Sequence, residues 1–206
     1  MSNNVLRALA AIGSTLLAAA CAPEFDQPFP LVVGATWTFD TSEAATGATG
    51  TKTQTVSDIA DGVATLTTNK AGGGTTTSKQ QDLEDAVVRL SEESVTAAGA
   101  ADGSETYHPA KVRVPKTLRT PGEHLTDSYT ETAVDAADVE TTNDKEEQWT
   151  LLEIATVEVA AGSFPNTFHF LRSGAVDKEF WFANGIGKIR EEGGGKVEEL
   201  ASYQLP

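Results

Sequence analysis

The feature that most constrains this chain is a period of two. Across residues 34–40, Trp37 and Phe39 fall on one face and Thr36, Thr38 and Asp40 on the other, which is the pattern of a half-buried β-strand. Residues 51–57 and 63–69 follow as Thr-rich strands joined by Asp61-Gly62, a tight-turn dipeptide. Gly72-Gly73-Gly74 marks the next loop and residues 75–79 a further strand. Residues 111–114 alternate with Val112 and Val114 on one face, and Pro115 and Pro121-Gly122 punctuate the loop after them. Residues 127–134 then read as a strand, 136–145 as an acidic connection, and 148–160 as one bent strand or two. A meander closes the chain, with strands at 164–171, 178–183, 187–192 and 196–204 and turns at Ser173-Gly174, Asn184-Gly185 and Gly193-Gly194-Gly195. Strands spaced so evenly predict an all-β fold: a curved antiparallel sheet forming an open barrel or sandwich, with little helix.

One stretch reads both ways. Leu83, Ala86, Val87 and Leu90 fall at helical spacing, and Ser78 with Gln81 could form a capping box. The β surroundings tip residues 79–93 toward strand. In the meander, Phe168 and Phe170 share one face and His169 and Leu171 the other, while Phe180 and Phe182 oppose Trp181. Large side chains on both faces imply a sheet covered on both sides, or one face lining a cavity. Phe168, Phe170, Phe180 and Phe182 are the candidate lining of such a cavity.

Residues 1–20 read as a signal peptide. Arg7 is the only charged side chain before Cys21, and the apolar run at 8–17 is interrupted by Gly13, Ser14 and Thr15. That run is shorter than the roughly 20 apolar residues a membrane span needs. Ala18, Ala19 and Ala20 lead into Cys21, the single cysteine, in a pattern that resembles a bacterial lipobox. The resemblance implies that Cys21 is lipidated and becomes the new N-terminus. The favoured Leu stands four residues before the cysteine rather than three. Ordinary cleavage after Ala20, giving a soluble exported protein with a free thiol, is the alternative. A lone cysteine in an exported chain has no internal disulfide partner, and acyl chains would anchor it at about 0.8 kcal/mol per buried CH₂. Residues 21–30, with three prolines and no periodicity, read as the lipidated N-terminus and tether, and residues 31–206 as a single β domain.

Charge excludes one class of partner. The whole chain carries 15 basic and 30 acidic residues, and removing the signal takes away only Arg7. So acidic a surface repels nucleic acid and anionic head groups. Its first consequence is solubility.

Three stretches resemble an uncharacterised bacterial lipoprotein family. Residues 29–39 match a PLxxGxxW opening through Pro30, Leu31, Gly34 and Trp37, and residues 157–164 match VxVPAGxF with Ala160 in the proline place. Residues 180–189 match YWFAPGVGLV with Asn184 for proline. The resemblance implies curved sheets or open barrels distantly like the LolA and LolB carriers, and with them a hydrophobic ligand on the concave side. Ala22 after the cysteine resembles an outer-membrane delivery signal, which implies an envelope location, facing the periplasm or the exterior.

Chemistry is sparse. His108, His124 and His169 have no second ligand at metal spacing, and Glu123-His124 lacks the rest of HExxH. His169 between two phenylalanines reads as a sheet residue with its ring hydrogen-bonded. There is no GxSxG elbow, and Gly185-Ile186-Gly187 lacks the helix that a dinucleotide fingerprint requires. Asp135, Asp138, Glu140 and Asp144 do not fit a calcium loop. Glu191-Glu192 and Glu198-Glu199 read as solvent-facing charge guarding an edge. No metal, cofactor or catalytic residue is expected. The expected role is non-catalytic: carrying an apolar ligand or, alternatively, docking on another envelope component. A carboxylate hydrolase is the remaining reading, and it requires two acids facing across a cleft.

Overall fold

The computed structural model describes residues 23–206, so the signal peptide and Cys21 lie outside the described residues. Twelve strands follow in chain order: β1 (Thr36–Glu43), β2 (Thr49–Ala60), β3 (Val63–Asn69), β4 (Thr75–Asp82), β5 (Ala86–Val95), β6 (Ala101–Pro115), β7 (His124–Val134), β8 (Glu140–Val159), β9 (Gly162–Ser173), β10 (Lys178–Ala183), β11 (Gly187–Gly193) and β12 (Lys196–Gln204). Each pairs antiparallel with its successor, and β12 returns to β1 to close a barrel. The all-β expectation holds, and the sheet goes further than an open barrel or sandwich. Pairing from Thr36 with Gln204 to Glu43 with Lys196 gives both terminal strands a partner, which removes the exposed edges of an open sheet.

Two stretches resolve differently from, or more sharply than, their sequence. Residues 79–93 are strand, broken at 83–85, where Leu83 N–H donates to the Ala86 carbonyl at 2.9 Å. The helical spacing there is incidental, because Val87 and Val88 are both buried, one on each face of a covered sheet. The acidic stretch 136–145 is largely strand too. β8 begins at Glu140 and runs unbroken to Val159, with its early residues paired to β7.

Antiparallel order gives the barrel two ends. The turns at 61–62, 83–85, 116–123, 160–161 and 184–186 gather at one end with segment 23–35, while the remaining turns gather at the other. The first end is sealed. Phe25 and Phe29 are buried, Phe29 stacks on Trp37 at 4.7 Å between ring centres, and the Trp37 indole N–H donates to the Ile186 carbonyl at 2.6 Å. Gly187, at φ +117°, makes this packing possible, since a Cβ there would lie 3.0 Å from the Trp37 indole nitrogen and 3.3 Å from Phe29. The β8–β9 hairpin folds over the same end, where Ala161 N–H donates to the Leu200 carbonyl at 3.1 Å.

Bulges then decide which side chains turn inward. Val87 faces Val114 and Val88 faces Val112, so Arg113 is an extra residue in β6. The expected grouping of Val112 with Val114 on one face is thereby undone, and Arg113 and Val114 line the interior together. In β11, Trp181 faces Arg190 and Phe182 faces Lys188, which leaves Ile189 extra and turns Lys188 inward opposite Phe182. One inserted residue reverses a strand's alternation from that point on.

Candidate functional site

The interior of the barrel is built in two tiers, and the four phenylalanines singled out from the sequence belong to the sealed one. Phe168 and Phe170 on β9 lie opposite Phe182 and Phe180 on β10. All four are buried, and the structure brings them together. They do not enclose open space. Phe25 stacks on Phe168 at 3.9 Å and lies 5.7 Å from Phe170, while Trp149 lies 5.3 Å from Phe180. The segment read as a free tether is therefore a plug, contributing Phe25 and Phe29 to the core. Its sequence carries no strand or helix period, so only its two aromatic residues hinted at burial. The plug is held by Asn184, which accepts from Gln27 N–H at 2.8 Å and donates to Asp26 at 3.1 Å. The Arg119 guanidinium donates to the Phe25 carbonyl at 3.3 Å.

The second tier is charged. Lys188 donates to Glu191 and, at 2.6 Å, to Glu198. Glu198 also accepts from Lys52, and Glu191 from Lys178 at 2.8 Å. Across the barrel, Glu147 takes Lys111 at 3.0 Å and Arg172 at 3.5 Å, and Arg89 pairs with Glu92. Side-chain exposure rises from 4% at Lys188 through 15% at Lys52 to 33% at Lys178, so the tier opens toward the end away from the plug. Glu191 and Glu198, read from the sequence as solvent-facing edge guards, are inner-face residues. The closed barrel has no edge for them to guard, and the β11 bulge turns their partner Lys188 inward.

Burial and pairing act against each other here. For Glu191 and Glu198, burial disfavours the carboxylate, but the surrounding lysines outweigh it and hold both below the usual range, Glu191 well below. Burial likewise disfavours charge on Lys188, and the two carboxylates together raise its pKa regardless. Lys52 loses that contest. Burial, with Lys188 nearby, brings it down to about 8. Aromatic faces join the tiers, with Lys188 and Lys52 at 4.9 and 5.3 Å from the Phe39 ring centre and Arg172 at 5.2 Å from Phe180. Asp127 accepts from the Val112 N–H at 2.9 Å, where β6 and β7 have diverged, and burial raises its pKa.

His169 lies on the outer wall. Its ring stacks on Trp181 at 4.0 Å, with Nε2 2.7 Å from Glu179 and Nδ1 3.3 Å from Glu153. It is a hydrogen-bonded sheet residue, as its place between two inward phenylalanines suggested. Among the described residues, no group of three or more His, Cys, Asp or Glu is placed to hold a metal.

No protein-family model matches the chain, and no curated protein matches it. Among solved structures, a "putative exported protein with YmcC-like fold" from Bacteroides fragilis is similar at 14% identity and a TM-score of 0.47, covering 90% of this chain and all of its own. A "putative lipoprotein" from Parabacteroides distasonis is similar at 10% identity and a TM-score of 0.42, covering 88% of this chain and all of its own. Likeness at this level assigns no role to any residue.

Proposed function

We propose that this chain is a lipid-anchored, non-catalytic protein of the bacterial envelope. In this reading the barrel stands with its plugged end toward the membrane and serves as a docking body for another envelope component. The observation that carries the reading is the position of the plug. Phe25 follows Cys21 by four residues, so an acyl group on that cysteine lies within roughly 14 Å of the barrel, at about 3.5 Å per extended residue. Val32, Val33, Ile59, Leu83 and Tyr203 are exposed around the same end, where apolar side chains suit a membrane-facing rim. The lipobox-like sequence and the three lipoprotein-like motifs support the same placement. The packed aromatic tier supports docking over carriage, because Phe25 occupies the volume that an apolar ligand would take.

Mass spectrometry of the protein from its native envelope tests the anchor. An N-terminal peptide beginning at Cys21 with acyl mass is expected, and Cys21→Ala should abolish it and release the protein from membranes. An unmodified thiol would overturn the anchor.

A second reading, carriage of an apolar ligand, is favoured by one feature. Phe25 belongs to no strand and could withdraw, leaving Phe168, Phe170, Phe180 and Phe182 to line a site. Lipid extraction of the wild type and of Phe25→Ala tests it. Absence of bound lipid from both would end that reading.

A further inference from the structure

Arg113 stands apart from every other cation of the inner tier. Lys52, Lys178 and Lys188 share Glu191 and Glu198, Lys111 and Arg172 share Glu147, and Arg89 has Glu92, all within 4.0 Å. Arg113 has no carboxylate within that distance among the described residues, and residues 1–22 contain no acidic side chain to supply one. It is half-buried and turned inward by the β6 bulge, and the carboxylates that act on it, Glu191 and Glu92, do so only from beyond ion-pair distance. A cation partly withdrawn from water in that position is costly unless something of opposite sign meets it.

The chamber that Arg113 faces has the matching composition. A void of about 10 Å³ is lined by Phe29, Gln54, Gln80, Arg113, Val114, Phe182 and Lys188. None of these is acidic, and each polar member has a proton to spare. Lys188 has three, of which Glu191 and Glu198 take two. The Gln54 amide nitrogen gives one to Thr68 at 3.2 Å, and that of Gln80 gives one to Ser78 at 2.9 Å, leaving one each. The guanidinium makes no side-chain hydrogen bond at all. The mouth of the opposite end makes a sharp contrast, since its cleft of about 300 Å³ is lined by Glu92, Asp102, Glu105 and Asp135. The void's own lining carries donors and no carboxylate, whereas the cleft at the mouth is lined by acids.

We propose that this chamber binds a single small anion of halide size, held by Arg113 and Lys188 with the amides of Gln54 and Gln80. The volume fits one atom of roughly water size and excludes a phosphate or an intact amphiphile unless Phe29 moves. Burial, followed by the nearby Arg89, brings Arg113 down to about 10, a strain that an anion would relieve. The site borders the aromatic tier through Phe29 and Phe182, and it stands whether the barrel docks on a partner or carries an apolar ligand.

Two measurements on the purified protein test it. In crystals grown with sodium bromide, anomalous diffraction should show a peak within hydrogen-bond distance of the Arg113 guanidinium. In solution, the thermal midpoint should rise by several degrees with saturating bromide or chloride relative to sodium gluconate at equal ionic strength. Arg113→Met should abolish that rise, and Arg113→Lys should keep part of it. A chamber without bromine signal, or an equal halide response in Arg113→Met, would overturn the proposal. Should Arg113→Met fail to fold, the bromine signal alone decides. A midpoint that responds to sodium decanoate and not to bromide would also overturn it, because the occupant would then be an amphiphile's head group displacing Phe29.

Discussion

The two tiers of the barrel share one sheet and are stabilised by different physics. At the plugged end, Phe25, Phe168, Phe170, Phe180 and Trp149 are removed from water together, and their contribution scales with apolar area and ring contact. At the charged end, Lys188 is as deeply buried as those rings, yet its place depends on two carboxylates. The difference teaches what each tier tolerates. Aromatic packing is indifferent to pH and sensitive to volume, whereas the ion network is sensitive to the loss of any one partner and to protons.

The largest expected effect is on the apolar tier. Phe168→Ala should lower unfolding free energy by about 3–5 kcal/mol, measured by urea denaturation, and by the same amount at pH 5 and pH 8. A loss that changed with pH would blur the distinction between the tiers. Next is Lys188→Met, which leaves Glu191 and Glu198 facing a site without its central cation and should cost about 3 kcal/mol. Replacing Lys52, Lys188, Glu191 and Glu198 together by Met, Met, Leu and Leu, which leaves only the more exposed Lys178 without its partner, should cost less than that single change. If the fourfold replacement were the worse of the two, the network would be stabilising in its own right.

The pH profile gives a smaller and more diagnostic effect. Glu191 and Glu198 are held below their unfolded value near 4.5, so their contribution is full above that value and is lost as pH falls through the folded values. Lys52 has the opposite consequence. Its pKa is depressed to about 8 from 10.5, so the folded state binds fewer protons between those values and stability rises across that interval. Lys52→Met should reduce the alkaline rise, leaving the share of Lys111, which burial also lowers, and keep the acid limb in place; an unchanged alkaline limb would assign it elsewhere. The smallest effect belongs to the outer wall. Glu153 is mostly exposed beside His169, and Glu153→Gln should change stability by less than about 0.5 kcal/mol.

Much of the scaffold was legible in the sequence, and less of the site. Trp37 with Phe39, and Phe168 with Phe170, declare strands and a shared inner face through spacing alone. The four meander phenylalanines were correctly grouped, because alternation is a local property of one strand and its hairpin partner. Phe25 was not legible as their partner. It lies far from β9 in the chain, in a segment without period, and only the closed barrel brings the two together. Arg113 and Lys188 were hidden for another reason. Alternation is counted from a register, and a bulge resets the register by one residue without any signature in composition. The inward roles of Glu191 and Glu198 were hidden by composition instead, because doubled acidic residues look like surface charge when each strand is read alone, even though Glu198 shares its parity with buried Leu200.

What the sequence determined by itself is the β character of the chain, the places where it turns, and the side chains competing for an interior. These follow from steric preferences and from hydrophobicity at a spacing of two, both settled within a few residues. Closure of the sheet, insertion of the plug and the gathering of cations behind it were decided only in three dimensions. Each depends on which distant strand lies alongside and in what register, and that is fixed by satisfying every backbone hydrogen bond and filling the interior together.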